Sequence, residues 1–260
     1  MTGTAPPTTD ADPDELARRV AALAPPRLIG LDVDGVLAPI VERADEARLT
    51  PGVADALTAL AAHTHVAVVS GRSLGDLDRL FEIPAGIEVV GSHGLEVRGQ
   101  PPLALDAGER ARLDRLMDLA EQGAAAAGRG AWVEHKPASV VLHVRQADPT
   151  SGAEALDRLS QLAREVDGAH VKLGHAVVET MARHTSKATA IAGLRDRLGV
   201  ASVVFAGDDR TDEEVFAILG PDDLTVRVGP GDTAARWRLR DPGAVLVWLR
   251  AVVAALDSAS

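Results

Sequence analysis

Residues 27–31, Arg-Leu-Ile-Gly-Leu, form a short apolar run that ends on Asp32-Val33-Asp34-Gly35. This junction constrains the fold more than any other stretch of the chain. A run of that length bounded by turn residues reads as a buried strand. Residues two apart on a chain leaving a strand point the same way, so Asp32 and Asp34 can face one site while Gly35 permits a sharp turn. Thr50-Pro51-Gly52 then opens a helix running to about residue 62, with Thr50 as N-cap and Pro51 at the first helical position. A strand over 66–69 follows and ends at Ser70-Gly71-Arg72. Strand, helix and strand in that order predict a right-handed parallel crossover. The rhythm resumes with a helix over 187–198 and a strand over 202–206, which places both halves in one parallel sheet of an α/β domain. A short amphipathic helix over 14–24 precedes them.

The stretch between these halves has a different rhythm. A helix over 106–127 leads to a strand at 131–134, a Lys136-Pro137-Ala138 turn and a strand at 140–145. A second helix, 151–166, leads to a hairpin of 170–173 and 176–181 turning at Gly174-His175. Two consecutive helix-plus-hairpin units make an α+β module able to form its own small sheet, read here as a cap inserted in the chain. Gly99-Gln100-Pro101-Pro102 suits a hinge. The expected organisation is a disordered Thr/Pro/Asp-rich tail at 1–13, a catalytic core at 14–102 and 184–260, and a cap at 103–183.

Composition narrows the chemistry. A formal charge of -11 over 260 residues argues against a nucleic-acid backbone as partner, because such partners select basic faces. A small anion remains compatible, since it needs only local cations or a bound metal. With no cysteine there are no disulfides, thiolate nucleophiles or thiolate metal sites. No apolar stretch reaches the roughly 18 residues of a membrane span, so a soluble cytoplasmic protein acting away from membranes is expected. Sequence says nothing of the oligomeric state.

Ligands of open parallel sheets bind beyond the carboxyl ends of the strands, and four polar clusters fall there. In the first, one of Asp32 and Asp34 can attack a phosphoryl group while the other moves a proton; Asp is also common in plain turns. In the second, Ser70-Gly71-Arg72 offers a hydroxyl and helix-start amides to phosphate oxygens, or Ser70 is an ordinary N-cap. The third is Lys187, placed to offset charge on phosphate and nucleophile, although most lysines are simply solvated. The fourth is Gly207 to Glu214, where five of the seven residues 208–214 are acidic. Asp212, Glu213 and Glu214 can complement a helix dipole. Asp208 and Asp209 at the strand end can join Asp32 and the Asp34 carbonyl around magnesium.

Taken together, Leu31-Asp32-Val33-Asp34-Gly35-Val36-Leu37-Ala38-Pro39-Ile40, Ser70-Gly71-Arg72, Gly91-Ser92-His93-Gly94 and Gly207-Asp208-Asp209-Arg210-Thr211-Asp212-Glu213 resemble the haloacid dehalogenase superfamily of phosphatases, and within it the trehalose-6-phosphate phosphatase family. The resemblance runs from Leu28 onward. It implies a Rossmann-like core with a smaller α+β cap, and hydrolysis of trehalose 6-phosphate through an aspartyl-phosphate. Asp32 would be the nucleophile, Asp34 the general acid/base, and Ser70 and Lys187 the phosphate binders, with Gly71, Arg72 and His93 contributing to the substrate site. Mg2+ would be held by Asp32, Asp34, Asp208 directly, Asp209, and Asp212 through water. The segment Glu134 to Arg145 resembles the family's sugar-reading hairpin, so Glu134, Lys136, Arg145 and Glu179 are candidate hydroxyl binders. His143 is either one of these or a satisfied core histidine. The alternatives are a phosphatase of another phosphosugar (a trehalose-like pseudo-disaccharide phosphate, sucrose phosphate or mannosylphosphoglycerate), a non-catalytic sugar-phosphate sensor, or a phosphotransferase. His135, Glu179-Thr180-Met181-Ala182 and Ala188 after Lys187 depart from the family pattern, the first two at the sugar side.

Overall fold

Asp12 starts the first helix: its carboxylate accepts from the Asp14 N–H at 2.9 Å with Pro13 at the first helical position, giving α1 (Pro13–Ala22). The computed structural model describes residues 10–101 and 104–258. Most of the expected N-terminal tail lies outside them. Residues 10–13 are engaged, since Ala11 N–H donates to Arg238 O at 2.8 Å.

The chain divides into two compact units, residues 1–100 with 185–260, and residues 101–184. The larger contains β1 (Arg27–Leu31), α2 (Val53–Ala61), β2 (His65–Val69), α3 (Leu74–Leu80), β3 (Glu88–Gly91) and β4 (Glu96–Val97). The smaller follows with α4 (Ala107–Ala127), β5 (Trp132–His135), β6 (Ser139–His143), α5 (Pro149–Arg164), β7 (His170–Gly174) and β8 (Val177–Met181). The chain then returns to the larger unit as α6 (Lys187–Leu198), β9 (Ser202–Gly207), α7 (Arg210–Ile218), β10 (Leu224–Val228), β11 (Trp237–Leu239) and α8 (Pro242–Asp257).

The seven-stranded sheet has the order β11-β10-β9-β1-β2-β3-β4, parallel throughout except at the β3/β4 edge. Strands buried on both faces need apolar residues at every position, with neighbours alternating between layers. Ile29, Leu31, Val66, Val68, Val204 and Ala206 pack with α1, α2 and α8. Leu28, Ala67, Val69, Val203 and Phe205 pack with α6 and α7 on the other side. The α/β expectation is borne out. The chain runs outward in opposite directions from β1 and β9, so their carboxyl ends meet at the point where strand order reverses.

Two helix starts differ from the sequence expectation. Thr50 is not an N-cap: Gly52 takes the left-handed conformation (φ 92°) at the head of α2, and the helix begins at Val53. Likewise α3 is capped by Ser73, whose hydroxyl accepts from Asp76 N–H at 3.1 Å, and not by Ser70.

In the smaller unit, α4-β5-β6 and α5-β7-β8 repeat one pattern, and the antiparallel sheet has the order β5-β6-β8-β7. Leu116, Leu119 and Ala120 of α4 and Leu159 and Ala163 of α5 bury against Val140, Leu142 and Val178. The expected strand to residue 145 stops at His143, because Ala147 N–H closes a turn on Val144 O at 3.0 Å. Arg183 binds Glu109 of the first α4 turn at 2.6 and 2.5 Å, tying the exit from β8 to that helix. Chiefly through those hydrogen bonds, the Glu109 carboxyl is lowered from 4.5 to about 2. A carboxyl lowered on folding stabilises the fold above its unfolded pKa and loses that contribution as pH falls toward the folded value. Melting temperatures of the wild type and Glu109→Gln are therefore expected to converge between pH 4.5 and about 2; parallel curves would contradict the pairing. No helix among the described residues is long and apolar enough to cross a membrane.

Candidate active site

Asp32 leaves β1 still in the ladder, its N–H donating to Ala206 O of β9 at 3.0 Å. The residue is only 4% exposed. Its Oδ1 accepts from Val33 N–H at 2.7 Å and its Oδ2 meets Lys187 Nζ at 2.5 Å. The chain then turns sharply: the N–H groups of Leu37 and Ala38 both return to Val33 O, and Gly35 N–H reaches Ala38 O. Gly35 has φ 75°, and a Cβ there would lie 2.1 Å from Asp208 Oδ2. Only glycine fits both the conformation and the Asp208 carboxylate packed against it.

Lys187 is the first residue of α6, where Ser186 and Thr189 form a capping box. The side chain is buried, and its ammonium lies 2.8 Å from Asp212 and 3.7 Å from Asp209 as well as on Asp32. Burial works against the charged lysine, but Asp32, Asp212 and Asp209 together push its pKa above the ordinary lysine value. One cation does not neutralise three carboxylates. Burial raises Asp32 despite Lys187. Burial, then repulsion by Asp32, raises Asp212. Asp208 is pushed up to about 7 by burial, then by Asp212 and Asp209. Asp209 behaves oppositely: burial would raise it, yet Lys187 and hydrogen bonds from Thr211 and Asp212 hold it below the usual carboxylate range.

Oxygens of Asp32, Asp209 and Asp212 lie within 4.8 Å of one another. An all-oxygen set with excess negative charge fits a hard divalent cation such as Mg2+. The sequence expectation makes Asp208 the direct ligand and has Asp212 act through water. Asp212 is turned fully inward because its Oδ2 accepts the N–H groups of Asp208 and Asp209 at 2.8 and 3.0 Å. Asp209, the N-cap of α7, accepts from the Thr211 and Asp212 N–H groups. Asp208 instead packs on the Gly35 turn.

Beyond β2, Ser70 is buried, its N–H on Val90 O at 2.9 Å and its Oγ accepting from Arg72 N–H at 3.2 Å. Arg72 grips Asp34 with two hydrogen bonds, Nε to Oδ2 at 2.6 Å and Nη2 to Oδ1 at 2.7 Å. A third nitrogen reaches Ala44 O at 2.9 Å, and the guanidinium lies 5.3 Å from the Phe81 ring centroid. His93 donates its N–H to Ser70 O at 3.0 Å, and its ring passes so close to Gly71 that a Cβ there would lie 2.7 Å away. The structure thus gathers Asp32 with Lys187, Asp34 with Arg72, and Ser70, Gly71 and His93 around the adjoining turn.

In the smaller unit the predicted residues form two groups. Glu134 Oε2 lies 3.0 Å from His143 Nε2. Lys136 Nζ and Ser139 Oγ both meet Glu179 Oε1, at 3.3 and 2.7 Å. Arg145 lies exposed beyond the end of β6 and joins neither group. His135, one of the departures, meets Met117 and Glu121 of α4. Ser139 and Trp132, neither singled out from the sequence, lie beside these groups. Trp132 stands two residues before Glu134 and so shares its face of β5, which was the available signal.

The trehalose-phosphatase family model matches residues 30–242. An uncharacterized glycosyl hydrolase of Mycobacterium tuberculosis is 34% identical over 245 residues, covering 88% of this chain and 18% of that protein. A trehalose-phosphate phosphatase of Mycobacterium marinum is 31% identical over 252 residues, covering 88% of this chain and 62% of its own length. The chain therefore spans less than two thirds of either relative. Among solved structures, an Aspergillus fumigatus trehalose-6-phosphate phosphatase superposes with a TM-score of 0.72 at 25% identity, covering 98% of this chain and 100% of that one. The C-terminal domain of a Candida albicans trehalose-6-phosphate phosphatase shares the fold, with a TM-score of 0.74 at 19% identity over 96% of this chain and 99% of that one. With the family model spanning both halves of the parallel sheet and the segment inserted between them, the chain belongs to the trehalose-phosphatase family.

Proposed function

We propose that this chain hydrolyses trehalose 6-phosphate to trehalose and phosphate. The observation that carries the reading is the buried Asp32–Lys187–Asp212 cluster at the carboxyl ends of β1 and β9. A sensor has no need to bury an ammonium between three carboxylates at that position. Asp32 Oδ attacks phosphorus, forming an aspartyl-phosphate as the bond to the sugar oxygen breaks, and Asp34 gives that oxygen a proton. Water then attacks the acyl phosphate while Asp34 takes its proton, which frees phosphate and restores Asp32. Lys187 keeps the buried Asp32 ionised and offsets the phosphoryl charge, with Ser70 and Arg72 binding phosphoryl oxygens. Asp32, Asp209 and Asp212, with Asp208 alongside, would hold Mg2+, which would supply further charge neutralisation. Glu134, Lys136, His143 and Glu179 bind sugar hydroxyls.

Phosphate release with Mg2+ from trehalose 6-phosphate, sucrose 6-phosphate and mannosyl-3-phosphoglycerate tests the reading. Trehalose 6-phosphate is expected to exceed the others in kcat/KM by at least about tenfold, or about 1.4 kcal/mol. A tenfold preference for another sugar would transfer the assignment to that sugar. Isomerised phosphosugar without free phosphate would replace hydrolysis by phosphotransfer.

A further inference from the structure

Aromatic side chains are scarce in this chain, which has three Trp, three Phe and no Tyr. Trp248, Phe81, Phe205 and Phe216 are buried, and Trp237 packs against the larger core with Arg19 over its ring. Trp132 alone among the described aromatics is exposed, at 51%. It begins β5, the edge strand of the small sheet, directly opposite His143 of β6. The two rings lie flat on each other, with centroids 3.9 Å apart and planes 1° from parallel. His143 is itself held by Glu134 at 3.0 Å.

Val133 points into the small core, so its neighbours Trp132 and Glu134 share the opposite face. An indole left half in water forgoes the burial that the other described aromatics obtain wholly or, for Trp237, in part. Its orientation is nonetheless set by a ring that a carboxylate holds in turn. A rigid, flat apolar surface bordered by charged hydrogen-bonding groups matches a pyranose ring, which has a C–H face and a rim of hydroxyls. Low rotamer freedom keeps the entropy of binding small.

We infer that Trp132, laid on His143, is a stacking platform for a pyranose ring of the phosphorylated sugar, with Glu134 accepting from a rim hydroxyl. The inference rests on the phosphosugar reading above and adds the surface that recognises the ring. It makes ring-bearing phosphates better substrates than phosphates lacking a pyranose.

Two measurements on the full chain test it. Free trehalose is expected to shield the exposed indole from acrylamide quenching in the wild type, and this shielding is lost in Trp132→Ala. In steady-state assays, Trp132→Ala should lower kcat/KM for trehalose 6-phosphate at least about tenfold more than for p-nitrophenyl phosphate, mainly through KM. Trp132→Phe, which keeps a ring, should recover most of the loss. Absence of shielding in the wild type, or equal losses on the two esters, overturns the platform. A wild type that releases phosphate from neither ester overturns the phosphatase reading instead, and the shielding measurement still decides the platform.

Discussion

Asp32→Asn is expected to abolish phosphate release, lowering kcat by about 10⁴-fold or more, which is roughly 5 kcal/mol of transition-state stabilisation. The amide is nearly isosteric, so shape is kept while the attacking oxygen loses its charge. Folding should survive the change. Lys187 still has Asp212 at 2.8 Å and Asp209 at 3.7 Å, and one of three mutually repelling carboxylates is gone. Asp32 is raised by burial, so neutralising it relieves an unfavourable charge and the melting temperature should hold or rise. Loss of turnover with a cooperative, wild-type-like melt identifies the nucleophile. Turnover within tenfold of wild type would exclude covalent catalysis by this residue.

Lys187→Met is expected to damage the fold itself. Removing the cation leaves the buried Asp32 and Asp212, with the half-exposed Asp209 beside them, facing one another, and breaking a buried ion pair from one side costs about 3–5 kcal/mol. For a chain of this size that corresponds to a fall in melting temperature of roughly 10 °C. The loss should depend on pH. Asp32 and Asp212 are already raised in the fold, so the folded state binds protons more tightly than the unfolded chain and gains stability as pH falls. Without Lys187 this dependence steepens, and the variant should lie closer to wild type at acid pH than at alkaline pH. Millimolar Mg2+ should recover part of the stability at alkaline pH, because a divalent ion replaces the missing positive charge. Melts of variant and wild type at two pH values, with and without Mg2+, decide the matter. Equal melting temperatures at alkaline pH would mean that the cluster is not a strained set of like charges.

Several elements were legible residue by residue. The strand over 27–31 and the helix over 187–198 occur at those bounds, because apolar periodicity and end signals agree there: Ser186 caps one end of α6 and Gly199 the other. The Asp106/Glu109 capping box marks the start of α4 equally plainly. Other elements escaped, among them α8, although Asp241 and Pro242 mark its start. β4 has two residues and β11 three, and they exist only because a neighbouring strand pairs with them. Thr50-Pro51-Gly52 carried a helix-start pattern, yet the left-handed Gly52 delays the helix to Val53.

Local sequence determined β1, the ends of α6, the start of α4 and the kinds of residue at the strand ends. Which of them touch was decided only by the tertiary structure. Lys187 meets Asp32 across 155 residues, and Arg72 meets Asp34 across 38. Of the acids in 208–214, Asp212 is the one drawn fully inward, because the Asp208 and Asp209 N–H groups and Lys187 converge on it. Ion pairing and pKa depend on distance and burial, and neither is defined until β1 lies between β2 and β9.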